Sequence, residues 1–104
     1  MTVKEIAIKL DAAIEVFADR EIDGVYVGDF LSRVMGKAPP SCAWLTIMNN
    51  VNVAGVATIA EVGAVVLCEG VEPDSQLKRK CEEETIPLLT TPLSAFDACL
   101  RLGK

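Results

Sequence analysis

The chain contains no histidine. That removes imidazole as a general acid or base near neutral pH, as the partner of a serine or cysteine nucleophile, and as a metal ligand. Cysteine occurs four times, at Cys42, Cys68, Cys81 and Cys99, never as a CxxC pair. A four-cysteine zinc site normally shows that pairing, so no metal and no cofactor is expected. The GxxxxGK[ST] phosphate loop is missing too, and with it the basis for kinase or ATPase chemistry. Positive charge is scarce: ten Lys+Arg stand against fifteen Asp+Glu, for a net charge of −5. Nucleic acid and anionic membranes bind clustered positive charge, so neither is expected as a partner. The longest apolar run, Val51 to Cys68, is interrupted by Asn52 and Glu61 and weakened as one helix by Gly55 and Gly63. Neither half approaches the roughly 20 residues that span a bilayer. Lys4, Glu5, Lys9 and Asp11 break up the first apolar residues, which do not read as a secretory signal. Reduced thiols in a cytoplasmic protein are the matching expectation.

What is present reads as alternating elements. Thr2-Val-Lys-Glu5 has the form of a capping box, opening a helix through about Leu10 with Ile6 and Leu10 on one face. Ala13 to Phe17 reads as a short strand, Asp19-Arg20-Glu21 as a polar break, and Val25 to Val27 as a strand ending at Gly28. Asp29 stands where an N-cap would open a helix from Phe30 to Met35, closed by Gly36. Pro39-Pro40 keeps Lys37 to Ser41 in a loop. Further strands are expected at Ala43 to Met48, Ala64 to Cys68 and Ile86 to Leu89. The middle one is a continuous apolar run of the kind buried in parallel sheets. Between them lie Val51 to Ala60, apolar on every side, and a charged helix running from its Asp74 cap to Glu84. Its inner face is Leu77 and Cys81, and its outer face offers Lys78–Glu82, Arg79–Glu83 and Lys80–Glu84 pairs. Thr91 and Pro92 open the last helix, and Gly103 ends it. The pattern predicts a single α/β domain over residues 1–104: a three-layer sandwich around a mostly parallel sheet of about five strands.

At the level of words, Asp19-Arg20, the turn at Gly24 and Gly28-Asp-Phe-Leu-Ser-Arg-Val-Met35 resemble the signature region of the DRTGG domain family. Trp44-Leu-Thr46, Asn52-Val-Ala54 and Ile86-Pro-Leu-Leu-Thr-Thr-Pro-Leu-Ser94 are similar to the rest of its pattern. The family's name motif is not kept, because Glu21-Ile22-Asp23 stands where Thr-Gly would be. The resemblance implies a fold similar to the N-terminal domain of HPr kinase. It also implies a regulatory or assembly role, either between the catalytic parts of larger enzymes or alone in larger metabolic or hydrogenase-related systems.

Candidate functional residues gather at one place in such a fold. Asp29, Asn49 to Asn52, Glu69, Thr90 and Thr91 all follow expected strands, and open α/β sheets bind ligands along the carboxyl edge. Asp29, Ser32, Thr46, Asn49, Asn52, Glu69 and Thr91 are therefore the candidate ligand-binding set. Two acids among them favour a neutral, zwitterionic or nucleotide-like ligand over bare phosphate. Hydrophobic residues make up 51% of the chain and seven glycines add to them. Apolar residues and glycine together usually account for about 45–50%. The surplus predicts a homodimer, with Ala54, Ala57 and Ala60 at the contact and Leu93 to Leu102 as a second apolar segment. The function that fits is a non-catalytic regulatory or scaffolding module, working by self-association and small-ligand sensing. The alternatives are a small enzyme of unknown reaction, or a redox-responsive adaptor using Cys42 or Cys81, whose neighbours are polar where those of Cys68 and Cys99 are apolar.

Overall fold

The structure is a computed structural model and describes residues 1–103. Ten elements follow one another: α1 (Val3–Leu10), β1 (Ala13–Val16), β2 (Val25–Val27), α2 (Leu31–Lys37), β3 (Ala43–Thr46), α3 (Asn52–Ala60), β4 (Ala64–Leu67), α4 (Ser75–Glu84), β5 (Leu88–Thr90) and α5 (Ala95–Leu102). The five strands form one sheet in the order β1-β5-β4-β3-β2. The sheet is mixed. β2, β3, β4 and β5 run parallel, while β1 pairs antiparallel with β5 and carries a bulge between Ile14 and Val16.

The layers follow from connection handedness. The chain steps from β2 to β3, β4 and β5 in one direction, and right-handed crossovers in one direction deliver their helices to one face. Val34 of α2, Val53 and Ala57 of α3, and Leu77 and Cys81 of α4 accordingly share a core with Trp44, Val65 and Leu88. The opposite face takes α1 and α5, with Ile6, Leu10, Ala98 and Leu102 packed on Leu45, Val66 and Leu89. Trp44 is fully buried, and its indole N–H donates to the Gly28 carbonyl at 2.8 Å. Among the described residues no helix is long and apolar enough to cross a membrane.

β1 departs from the parallel pattern because no helix separates it from β2. The two strands lie at opposite edges of the sheet, joined by residues 17–24 alone. Four strand spacings amount to about 19 Å, within the roughly 27 Å that eight extended residues reach. This strap crosses the amino-terminal ends of the parallel strands and is pinned along the way. Arg20 donates to the carbonyls of Val62, at 3.3 Å, and Thr85, at 2.7 Å. Ile22 is buried, and the Asp23 amide donates to the Ser41 carbonyl at 2.9 Å. Gly63 lies against the strap: a Cβ there would stand 2.6 Å from the Ser41 carbonyl oxygen and 2.7 Å from Ile22 Cδ1.

Several local expectations change. Asp29 does not cap α2; Phe30 occupies the cap position and offers no side-chain bond. α2 passes through Gly36 to Lys37, just short of the prolines. Thr91 does not cap α5 either, since Ser94 does, accepting from the Asp97 amide at 3.1 Å. On α4 the Asp74 cap and the inward Leu77 and Cys81 are as expected. Of the outer charges the Lys80–Glu84 pair forms as expected, while Lys80 also bonds Glu83 and Lys78 reaches Glu15 of β1 at 3.5 Å.

The largest correction concerns α3. Ala54, Ala57 and Ala60 are buried within their own subunit, so in this fold they cannot form the contact surface of a dimer. α3 is the middle helix of a three-helix layer, flanked by α2 and α4 and backed by the sheet. That position buries Val53, Ala54, Val56, Ala57 and Ala60 and leaves Asn52, Gly55, Thr58 and Ile59 as its solvent face, of which only Asn52 and Thr58 are polar. Ala57→Arg should therefore unfold the subunit, because Ala57 is 2% exposed and an unpaired buried charge is strongly destabilising. Ile59→Arg, on the same helix but 67% exposed, should shift stability by less than about 0.5 kcal/mol. Urea unfolding followed by circular dichroism compares the two.

Candidate functional site

The carboxyl edge of the parallel strands brings some of the predicted residues together and separates others. Asp29, one residue beyond the end of β2's pairing, turns its carboxylate across to β3. Its Oδ1 accepts from the Thr46 hydroxyl at 2.7 Å and from the Ile47 amide at 3.0 Å. The Thr46 hydroxyl in turn accepts from the Met48 amide at 3.1 Å. Asp29 thus fastens the ends of two neighbouring strands, a role invisible to a reading that saw only the helix after it. Its second carboxylate oxygen, Oδ2, takes no hydrogen bond from a described residue and faces outward with this exposed side chain.

Asn49 is half-buried and committed to the next loop. Its side-chain amide donates to the Glu72 carbonyl at 2.6 Å, and its own carbonyl accepts from the Asp74 amide at 3.1 Å. Asn52 is exposed in the first turn of α3, its backbone amide held by Asn50 Oδ1 at 2.9 Å. Ser32 is exposed on α2. Asp29, Asn52 and Ser32 are thus the accessible members of the set on the β2–β3 side.

The β4–β5 side is closed. Connections leave β4 and β5 toward opposite faces, which is where a crevice opens in sheets of this type. Here backbone bonds fill it. The Glu69 amide donates to the Leu93 carbonyl at 2.8 Å, and the Gly70 amide to the Thr91 carbonyl at 3.0 Å. Glu69 is exposed but held in the left-handed region, at φ 61°. Thr91 is buried: its hydroxyl donates to the Leu10 carbonyl at 2.6 Å and accepts from the Leu93 amide at 3.2 Å. It joins α1 to the β5–α5 loop and is withdrawn from any ligand.

Two cavities lie away from this edge. One of about 250 Å³ sits under the strap, lined by Arg20, Ala57, Thr58, Glu61, Val62, Glu84 and Ile86. The other, about 370 Å³, is bordered by Thr2, Val3, Lys4, Phe17 and Asp19. There the Lys4 ammonium stands 5.5 Å from the centre of the Phe17 ring. Asp19 and Arg20 thus line different cavities. Sequence reasoning quoted both residues and gave neither a role. The available signal was an Asp-Arg pair in a stretch too polar to be core, and its meaning depends on where the strap runs.

The cysteine assignment reverses for three of the four thiols and holds for Cys68 alone. Cys42 and Cys81 are fully buried, as is Cys68, while Cys99 is the half-exposed one. Burial raises the Cys42 thiol and pushes those of Cys68 and Cys81 up to about 11. A redox adaptor built on Cys42 or Cys81 has no accessible thiolate to work with. Among the described residues no group of three or more acidic or cysteine side chains is placed to hold a metal ion.

In fold the chain is similar to the solved structure of the CBS and DRTGG domains of the regulatory region of a Clostridium perfringens pyrophosphatase, complexed with its activator, diadenosine tetraphosphate. The TM-score is 0.80 at 13% identity, covering 97% of this chain and 45% of that one. The chain thus spans less than half the length of the protein it matches, and it has the DRTGG-like fold that its Asp19-Arg20 and Gly28-to-Met35 segments resemble. No protein-family model and no curated protein matches the chain.

Thiol reactivity tests the cysteine geometry. In the native protein at pH 8, a thiol reagent should label one cysteine, Cys99, and the other three only after unfolding. Stability should also fall as pH rises from about 9 to 11, since the unfolded chain ionises at an ordinary thiol pKa near 9.0 while Cys68 and Cys81 stay protonated to about 11 in the folded one. Rapid native labelling of Cys42 or Cys81 would contradict the structure.

Proposed function

We propose that this chain is a non-catalytic regulatory or scaffolding module that associates with itself and reads a small nucleotide-like ligand at the β2–β3 side of its carboxyl edge. The observation that carries this reading is the fold, matched over 97% of the chain by the regulatory region of a pyrophosphatase whose activator is an adenine dinucleotide. Local chemistry is compatible with it. Asp29 Oδ2 can accept from a ribose hydroxyl, and Asn52 can both donate to and accept from a base edge. The buried polar groups of the edge, Thr46 and Thr91, are already engaged by the chain itself and hold the frame.

Self-association moves from α3 to α5. The apolar surplus is exposed on α5 at Phe96 and Leu100, which are 69% and 60% exposed. Arg101, on the far flank of the same helix, donates to the Lys9 carbonyl at 3.4 Å. That contact ties α5 to α1, and α5 also contacts β2.

The ligand reading is tested with AMP, ATP and diadenosine tetraphosphate as probes in thermal unfolding. At ten times its Kd a bound nucleotide stabilises by about 1.4 kcal/mol, roughly 6 °C for a domain of this size. Asp29→Asn and Asn52→Ala should each weaken binding about tenfold, and no phosphate should be released above a buffer blank. Absence of a shift with all three nucleotides, or equal binding by both variants, removes the ligand site. Nucleotide hydrolysis that follows the purified protein removes the non-catalytic reading.

A further inference from the structure

We propose that two copies of this chain join edge to edge through β2, antiparallel about a two-fold axis at Tyr26, to make one continuous ten-stranded sheet. This rests on the self-association proposed above and names the surface that performs it.

The argument begins with the direction of backbone groups. Gly24 accepts through its carbonyl from the Ala43 amide, and the Gly28 amide donates to the Leu45 carbonyl. Even-numbered residues of this segment therefore point their amides and carbonyls at β3, in the register Val25↔Ala43, Tyr26↔Trp44, Val27↔Leu45. In a parallel pair the odd-numbered residues point the other way. Beyond β2 the sheet has no further strand, so the N–H and C=O groups of Val25 and Val27 face an open edge with no partner among the described residues.

These groups are self-complementary. In an antiparallel pair, residues opposite each other exchange both of their hydrogen bonds or neither. Setting Tyr26 against Tyr26 of the second copy pairs Val25 with Val27 and Val27 with Val25. The result is four new hydrogen bonds that leave no edge group over. The two tyrosines then face each other as a non-hydrogen-bonded pair, where side chains come closest and aromatic pairs contribute most. A two-fold contact requires this kind of reciprocity, and this register supplies it, with the exposed apolar residues beside β2 meeting their own copies across the axis.

The two edges of the sheet are protected differently. Native edges are blunted by charges, prolines and bulges. β1 has a bulge and carries Glu15, which pairs with Lys78. β2, Val25-Tyr-Val27, has neither a charge nor a proline, and Val27 is 47% exposed. Apolar surface flanks it as well: Phe96 and Leu100 on α5, and Phe30 directly after the strand, are all exposed. At roughly 200 Å² for each aromatic side chain, these residues with Val27 supply about half of the roughly 800 Å² per partner that a stable interface buries. The register also sets Asp23 against Asp29 of the second copy at both ends of the ladder. Asp29 is turned back onto Thr46 and Ile47, and added salt should screen what repulsion remains.

Hydrogen exchange and sedimentation equilibrium together test the proposal. In a concentrated sample the amides of Val25 and Val27 should be protected and the mass should be twice 11.1 kDa. On dilution those two amides should lose protection while that of Tyr26, bonded to β3, keeps it. Val27→Lys places a charge on the edge. Val27→Pro removes an N–H that the subunit itself does not use. Both should give folded monomers by circular dichroism. A dimer that persists in Val27→Lys, or one with freely exchanging Val25 and Val27 amides, overturns edge pairing and leaves self-association by another face. A wild-type chain that stays at 11.1 kDa at high concentration overturns both.

Discussion

Arg20 joins two helix ends that would otherwise repel each other. Helices that alternate with parallel strands run antiparallel to them, so α3 and α4 both finish at the amino edge of the sheet. Their exposed carbonyls there carry negative partial charge, and Glu61 and Glu84 add full charges nearby. The Arg20 guanidinium sits between them and donates to Val62 and Thr85, the residues just beyond the two helices. Because Arg20 belongs to the strap, the same contact fixes the only segment that connects β1 to the rest of the sheet. Ile22 and the glycine at position 63 then hold the strap at a distance that no larger residue would permit.

With the strap in place, each edge of the sheet acquires its character. β1 is held antiparallel beside β5 and reinforced by the Glu15–Lys78 pair, so one edge is closed to further strands. β2 is carried to the opposite edge, where its outward amides and carbonyls have no partner among the described residues. The helix layers follow from the same order: α3 becomes the central helix of its layer, whereas α5 keeps Phe96 and Leu100 in solvent. The apolar excess of the composition therefore divides between the two cores and exposed side chains on several elements, Ile8, Ile59, Phe96 and Leu100 among them.

The carboxyl edge is equally asymmetric. Between β4 and β5 backbone hydrogen bonds close the loops together, with the Thr91 hydroxyl reaching to the end of α1. Between β2 and β3 the Asp29–Thr46 pair fixes the frame but leaves an oxygen and the neighbouring Asn52 accessible. The fold thus presents one polar rim at its carboxyl edge and one open strand edge.

Much of this was legible in the residues. The Thr2–Glu5 capping box, the Asp74 cap with Leu77 and Cys81 behind it, and the apolar run of β4 depend on neighbours within a few positions, and each stands where local chemistry put it. The candidate set at the strand ends was legible only as a list. Burial of Thr91, the turn of Asp29 toward β3 and the closure of the β4–β5 crevice are set by residues from 17 to 81 positions away. The same holds for the thiols: polar neighbours in sequence made Cys42 and Cys81 look exposed, yet a strand start and an inner helix face bury both. Sequence by itself determined the alternation of strands and helices, because hydrophobic period and capping are local. Tertiary structure alone decided the strand order, and with it the antiparallel β1, the central α3 and the open β2 edge, because these depend on where an eight-residue strap can reach.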